Sequence, residues 1–175
     1  MAKLKPVESR ESQKAEEVER HQGHGLWQTP GTERPRTQGE FSQELIHLLD
    51  MEPIEDGCSH PGEMLINRTL AKQGTASAQW IQAIYHENLN RRPSIAAGIL
   101  RCLGRLSRNV THPWGVSLAI SGLSNSDIEI RDAAVRALET WGGPESLEAL
   151  ERHLGNESVA WLADYTRRVI ADLPR

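Results

Sequence analysis

Residues 126–156 read SDIEIRDAAVRALETWGGPESLEALERHLGN, and this stretch leaves the chain few folds to adopt. Its apolar side chains recur with helical spacing, Ile130, Ala134, Ala137, Leu138 and Trp141 falling on one side of a 3.6-residue period. Ser126 is placed to cap this helix, and Glu129 to complete a capping box. Gly142-Gly143 stops it, because glycine enters the left-handed region at little cost. Pro144 suits the first turn of a following helix, where its missing N–H is not needed. Leu147, Leu150 and Leu154 form a second stripe before Gly155-Asn156. A hairpin of this kind cannot bury both stripes alone, so it requires neighbours of the same type.

The rest of the chain supplies them. The same periodicity predicts helices over 41–51, 63–72, 77–89, 94–107, 114–123 and 159–173. Ile95, Leu100, Arg101 and Leu103 recur as Ile130, Val135, Arg136 and Leu138, each at an offset of 35. Gly98 stands against Ala133, a small residue at a close-packing position in both copies. Self-similarity at such a period marks a stack of helical hairpins, here roughly three to four of them, with the last helix as a more polar cap.

The order Asp127, Ile130-Arg131, Ala133-Ala134, Ala137-Leu138 and Gly142, followed by Leu147, Leu150 and Leu154, resembles a HEAT-type repeat. It is also similar to the shorter repeats of the phycobilin-lyase-like branch of that superfamily. The resemblance covers residues 94–173, is weaker over 41–93 and is absent before that. It implies an all-α fold, a short right-handed α-solenoid serving as a binding scaffold.

At 175 residues the chain suits one ordinary domain. Only 5% of residues are aromatic, so the core must come from Leu, Ile, Ala and Val, which favours helices brought close by small side chains. Residues 1–40 are rich in Glu, Arg, Gln, Thr, Gly and Pro and read as a flexible arm, with 41–175 as the HEAT-like domain. Leu26-Trp27 is the arm's adhesive spot, and Trp27 either covers the first helix or docks onto a partner. The N-terminus has no apolar core of a secretory signal, and no apolar run approaches the roughly 20 residues that span a bilayer. Cys58 and Cys102 make no disulfide framework, so a cytoplasmic protein is expected.

The charge map sharpens this reading. The chain carries net −4, yet no acid lies between Glu87 and Asp127, a stretch holding Arg91, Arg92, Arg101, Arg105 and Arg108. Arg101, Arg105 and Arg108 have the spacing that puts them on one helix face. Such a belt either pairs with acids of neighbouring hairpins or forms an anion-binding groove, where a guanidinium fork grips carboxylate or phosphate.

Chemical motifs are weak. His21, His24, His47, Cys58 and His60 assemble no paired set of four zinc ligands, so no metal or cofactor is expected. Cys102 aligns with Ala137 and reads as a small core residue. No nucleophile elbow or phosphate loop frames the Ser, His, Asp or Gly residues. The expected function is therefore a non-enzymatic protein-binding scaffold, as an adaptor, regulatory subunit or immunity-type inhibitor. Arg101, Arg105 and Arg108 would contact an acidic partner protein, with Arg91 and Arg92 at the rim and Trp27 as an arm anchor. The alternatives are a HEAT-like nucleic-acid-binding protein or DNA-repair glycosylase-like enzyme, in which Trp80, Tyr85 and Trp114 would stack on bases, and a bilin lyase-like protein.

Overall fold

The computed structural model describes residues 36–55 and 57–174, so Trp27 and most of the expected arm lie outside the described residues. The chain divides between Arg34 and Pro35, and every helix below belongs to the unit that starts at Pro35. Among the described residues there are nine helices and no strand, which makes this unit all-α.

Helix α1 spans Gln38–Met51. It begins before Phe41, inside the range expected for the arm, because Thr37 and Glu40 form a reciprocal capping box. Its Phe41 and Leu45 are fully buried. Helix α2, Pro61–Gln73, is capped by a histidine: the His60 Nδ1 accepts from the Gly62 N–H at 3.0 Å. The other ring nitrogen lies 3.1 Å from the Glu52 carbonyl, so the proton belongs on Nε2. Gly74, at φ 54°, turns the chain into α3, Thr75–Asn88.

Helix α4 covers Pro93–Gly104 and is followed by a four-residue helix α5, Arg108–Thr111. Then come α6, Trp114–Gly122, α7, Ile128–Trp141, α8, Pro144–Leu154, and α9, Ala160–Asp172. The cap of α7 differs from expectation. Asp127, not Ser126, accepts from the Glu129 backbone N–H at 2.8 Å, and the Asn125 side chain takes the Asp127 N–H. A carboxylate at this position also meets the positive end of the helix. The break after α7 is as read from sequence, with Gly142 and Gly143 at φ 59° and 87° and Pro144 in the first turn of α8.

The core is built where α4 lies against α7, helices that are not consecutive in the chain but make the most extensive contact of the unit. Ile95, Ile99, Leu100 and Leu103 of α4 and Ile130, Ala134, Val135 and Leu138 of α7 are buried together. Each large aliphatic side chain contributes about 1.5–3 kcal/mol on full burial. Gly104 permits the approach, since a Cβ there would fall 2.9 Å from the Ala137 Cα. The Trp141 indole N–H donates to the Leu106 carbonyl at 3.0 Å, tying the end of α7 to the exit of α4. No helix among the described residues is long and apolar enough to cross a membrane.

Candidate functional site

Beside the α4–α7 crossing lies a groove of about 360 Å³. Its floor is Gly104 and Ala137, Ile54 edges it, and its polar walls are Arg101 and Arg105 from the α4 end with Asp132, Arg136, Glu139 and Thr140 from α7. Arg101 and Arg136, which stand 35 residues apart in the sequence, both line this groove. Asp132 is buried between them. Its two carboxylate oxygens accept from the Arg136 Nε–H at 3.0 and 3.1 Å, and Arg101 Nη2 approaches one of them at 3.5 Å. Glu139 accepts from the Tyr165 hydroxyl, and Arg136 lies over the Tyr165 ring, 5.2 Å from its centroid. Burial raises the Tyr165 pKa, and the hydrogen bond to Glu139 raises it further, so this phenol stays protonated.

The other arginines of the belt are placed differently. Arg105 caps the end of α4, and its guanidinium donates to the carbonyls of Glu55 (2.6 Å) and Cys58, with the Glu63 carboxylate 3.7 Å away. It thus pins the 52–60 loop to the helix end. Arg108 does not share the face of Arg101 and Arg105. The helix ends at Gly104, the turn at Leu106-Ser107 breaks the register, and Arg108 starts α5. Its guanidinium donates to the Gly142 carbonyl and to Glu145 at 3.0 Å, away from the groove. A Cβ on Gly143 would collide with that guanidinium. Arg92 pairs with Asp50 at the end of α1, and Arg91 is exposed in the turn before α4.

A second, larger groove of about 880 Å³ runs between the α6–α7 and α8–α9 turns, lined in part by Arg131, His153 and Glu157. Arg131 grips Glu157 with two parallel bonds of 2.7 and 3.0 Å and donates to the carbonyls of Asn125 (3.1 Å) and Ser126 (2.9 Å). The Arg131 hydrogen bond holds the Glu157 carboxyl below the usual carboxylate range. His153 is buried with Nε2 3.3 Å from Glu157, and burial lowers its pKa against the pull of that carboxylate.

Cys102 is fully buried, and burial pushes its thiol up to about 12, so it offers no thiolate near neutral pH. Among the described residues no group of three or more His, Cys, Asp or Glu side chains is arranged to hold a metal ion. Tyr85 is fully buried, Trp80 packs on Phe41 with ring centroids 6.1 Å apart, and Trp114 is half-buried against the core.

Comparison with protein-family models, curated proteins and solved structures finds no match for this chain.

Sequence reasoning placed Arg101 and Arg105 in the site but left out Arg136, Asp132 and Thr140. The offset that aligns Arg136 with Arg101, and the four-residue spacing of Asp132 and Arg136, were the signals that lead to them.

Proposed function

We propose that this unit is a short HEAT-like stack of helical hairpins, an α-solenoid acting as a non-enzymatic protein-binding scaffold, with the α4–α7 groove as its contact face. The observation that carries the reading is the meeting of Arg101 and Arg136, 35 residues apart in sequence, on one open groove, where Arg101 pairs among the described residues only with Asp132 at 3.5 Å. The equivalence of α4 and α7 in sequence, and the close Gly104–Ala137 approach between them, support the repeat. Recognition is by shape and charge, with no bond chemistry, in an adaptor, regulatory subunit or immunity-type inhibitor. The free Cys58 and Cys102 suit a reducing, cytoplasmic setting. The nucleic-acid alternative is less well supported: Tyr85 lies in the core, Trp80 and Trp114 pack against it, and Arg92, Arg105 and Arg108 are engaged within the chain.

The test is affinity capture with the full chain, with and without nuclease and at low and high salt, using wild type and the Arg101→Glu, Arg105→Glu double variant. One protein that survives nuclease, is released by salt and is lost with the double variant is the expected result. Recovery abolished by nuclease assigns the chain to nucleic acid instead.

A further inference from the structure

We propose that α9 is a detachable element, opening and closing on α7 and α8 as one unit while the other helices stay folded, with the Glu157 side chain as its latch. This is independent of the scaffold reading.

A helix is held in place by the surface it buries and by the ends that are tied down. α4 buries all but Pro93, Ser94 and Arg101 of its twelve residues. α9, with thirteen, buries only Leu162, Thr166 and Val169, and the Thr166 hydroxyl donates to the Leu162 carbonyl within the helix. Tyr165, Ile170 and Leu173 are half-buried against the core, while Trp161 in the first turn is 52% exposed. The helix's own signals are weak. Among the described residues no side chain caps it through Val159, no acid stands in its first turn, and Asp172 puts a negative charge at the negative end of the helix dipole. Thirteen residues of this kind are marginal as a helix in water, so an undocked α9 melts.

The docking is concentrated at two places. The Glu157 carboxylate stands just before α9 and joins three helices. It takes two bonds from Arg131 of α7, at 2.7 and 3.0 Å, its Oε1 accepts from the Val159 N–H at 2.8 Å, and His153 of α8 lies 3.3 Å away. Further along, Tyr165 donates to Glu139, and Arg136 lies over its ring. There α9 meets the α4–α7 groove, whose walls include Arg136 and Glu139, so an open α9 withdraws both contacts from the groove. α8 has other supports: it also packs on α6 and α7, and Arg108 donates to Glu145 in its first turn.

The experiment is native-state amide hydrogen exchange on the full chain, resolved by residue, at one pH and in the regime where rates report opening equilibria. In wild type the α9 amides are expected to share one opening and to exchange at least about a hundredfold faster than those of α4. Gly104→Ala, which separates α4 from α7, is expected to speed the α4 amides about thirtyfold and to leave those of α9 unchanged, because the open and closed forms of α9 both contain the altered crossing. Glu157→Gln is expected to speed the α9 amides about a hundredfold, and the α4 amides follow, since the unfolded chain lacks the latch as well. If Glu157→Gln does not fold, Glu157→Asp replaces it; this keeps the charge but draws it back by one methylene, and about a tenfold acceleration in α9 is expected. α9 amides that speed up with Gly104→Ala as much as those of α4 overturn the proposal, since α9 then opens only with the whole unit. Rates graded from one end of α9 to the other also overturn it, because they report fraying in place of one opening. α9 amides indifferent to the Glu157 variant overturn the latch.

Discussion

Arg131 and Arg101 carry the same guanidinium on the two helices that form the core, and the structure uses them in opposite ways. Arg131 is nearly saturated: it makes two bonds to Glu157 and two to backbone carbonyls, and its side chain is 13% exposed. Among the described residues Arg101 pairs only with Asp132, at 3.5 Å, and it lines an open groove. The difference lies in what each folded environment supplies. Glu157 arrives from the following turn with its side chain 1% exposed and aligns with the fork, whereas Asp132 is already committed to Arg136. A saturated buried pair locks two turns together. An arginine with fewer partners beside a groove leaves that end of the helix unlocked.

The largest test of this contrast removes the lock. Glu157→Gln leaves Arg131 without its counter-charge and is expected to cost about 3 kcal/mol, the lower end for a broken buried pair because a groove adjoins the site. Urea denaturation measures it, and a loss under about 1 kcal/mol would place Arg131 with the weak surface pairs. Next is the floor of the other site. Gly104→Ala drives a Cβ into the Ala137 backbone and is expected to cost about 2 kcal/mol through separation of α4 and α7, read from the thermal midpoint. An unchanged midpoint would show that the two helices can part freely.

Asp132→Asn is expected to cost only about 1 kcal/mol, because Arg136 and Arg101 remain partly solvated. A loss as large as that of Glu157→Gln would erase the distinction between the two arginine sites. The smallest effect is the pH response of the locked cluster. His153 has a folded pKa below its ordinary value of about 6.5, so the unfolded chain binds its proton more readily. The stability it contributes is present above pH ~6.5 and is lost as pH falls through that value toward the folded pKa. Glu157, with a lowered pKa, loses its contribution only at more acid pH. Denaturation midpoints at pH 7.5 and 5.5 should therefore differ in wild type and converge in His153→Gln; parallel curves would locate the titration elsewhere.

Much of the helical unit was legible because its signals are local. The apolar stripe of α7, the Gly142-Gly143-Pro144 stop and the second stripe of α8 are all encoded within a few residues and reappear in the structure at those positions. Two local readings failed where neighbouring residues compete. Asp127 outcompeted the adjacent Ser126 for the cap, a carboxylate accepting more strongly than a hydroxyl. Arg108 left the shared face because α4 ended at Gly104. His60 as a cap was invisible, since its second bond goes to Glu52 across a loop.

By itself the sequence determined that this region is helical, where its helices stop, and that one arginine recurs at an offset of 35, because periodicity, glycine dihedrals and proline are properties of short segments. Only the tertiary structure decided which arginine is satisfied. Glu55, Glu145 and Glu157, which hold Arg105, Arg108 and Arg131, lie 50, 37 and 26 residues away in the chain, and hydrogen bonding acts over about 3 Å, so the choice between a strut and an open donor exists only after the helices have packed.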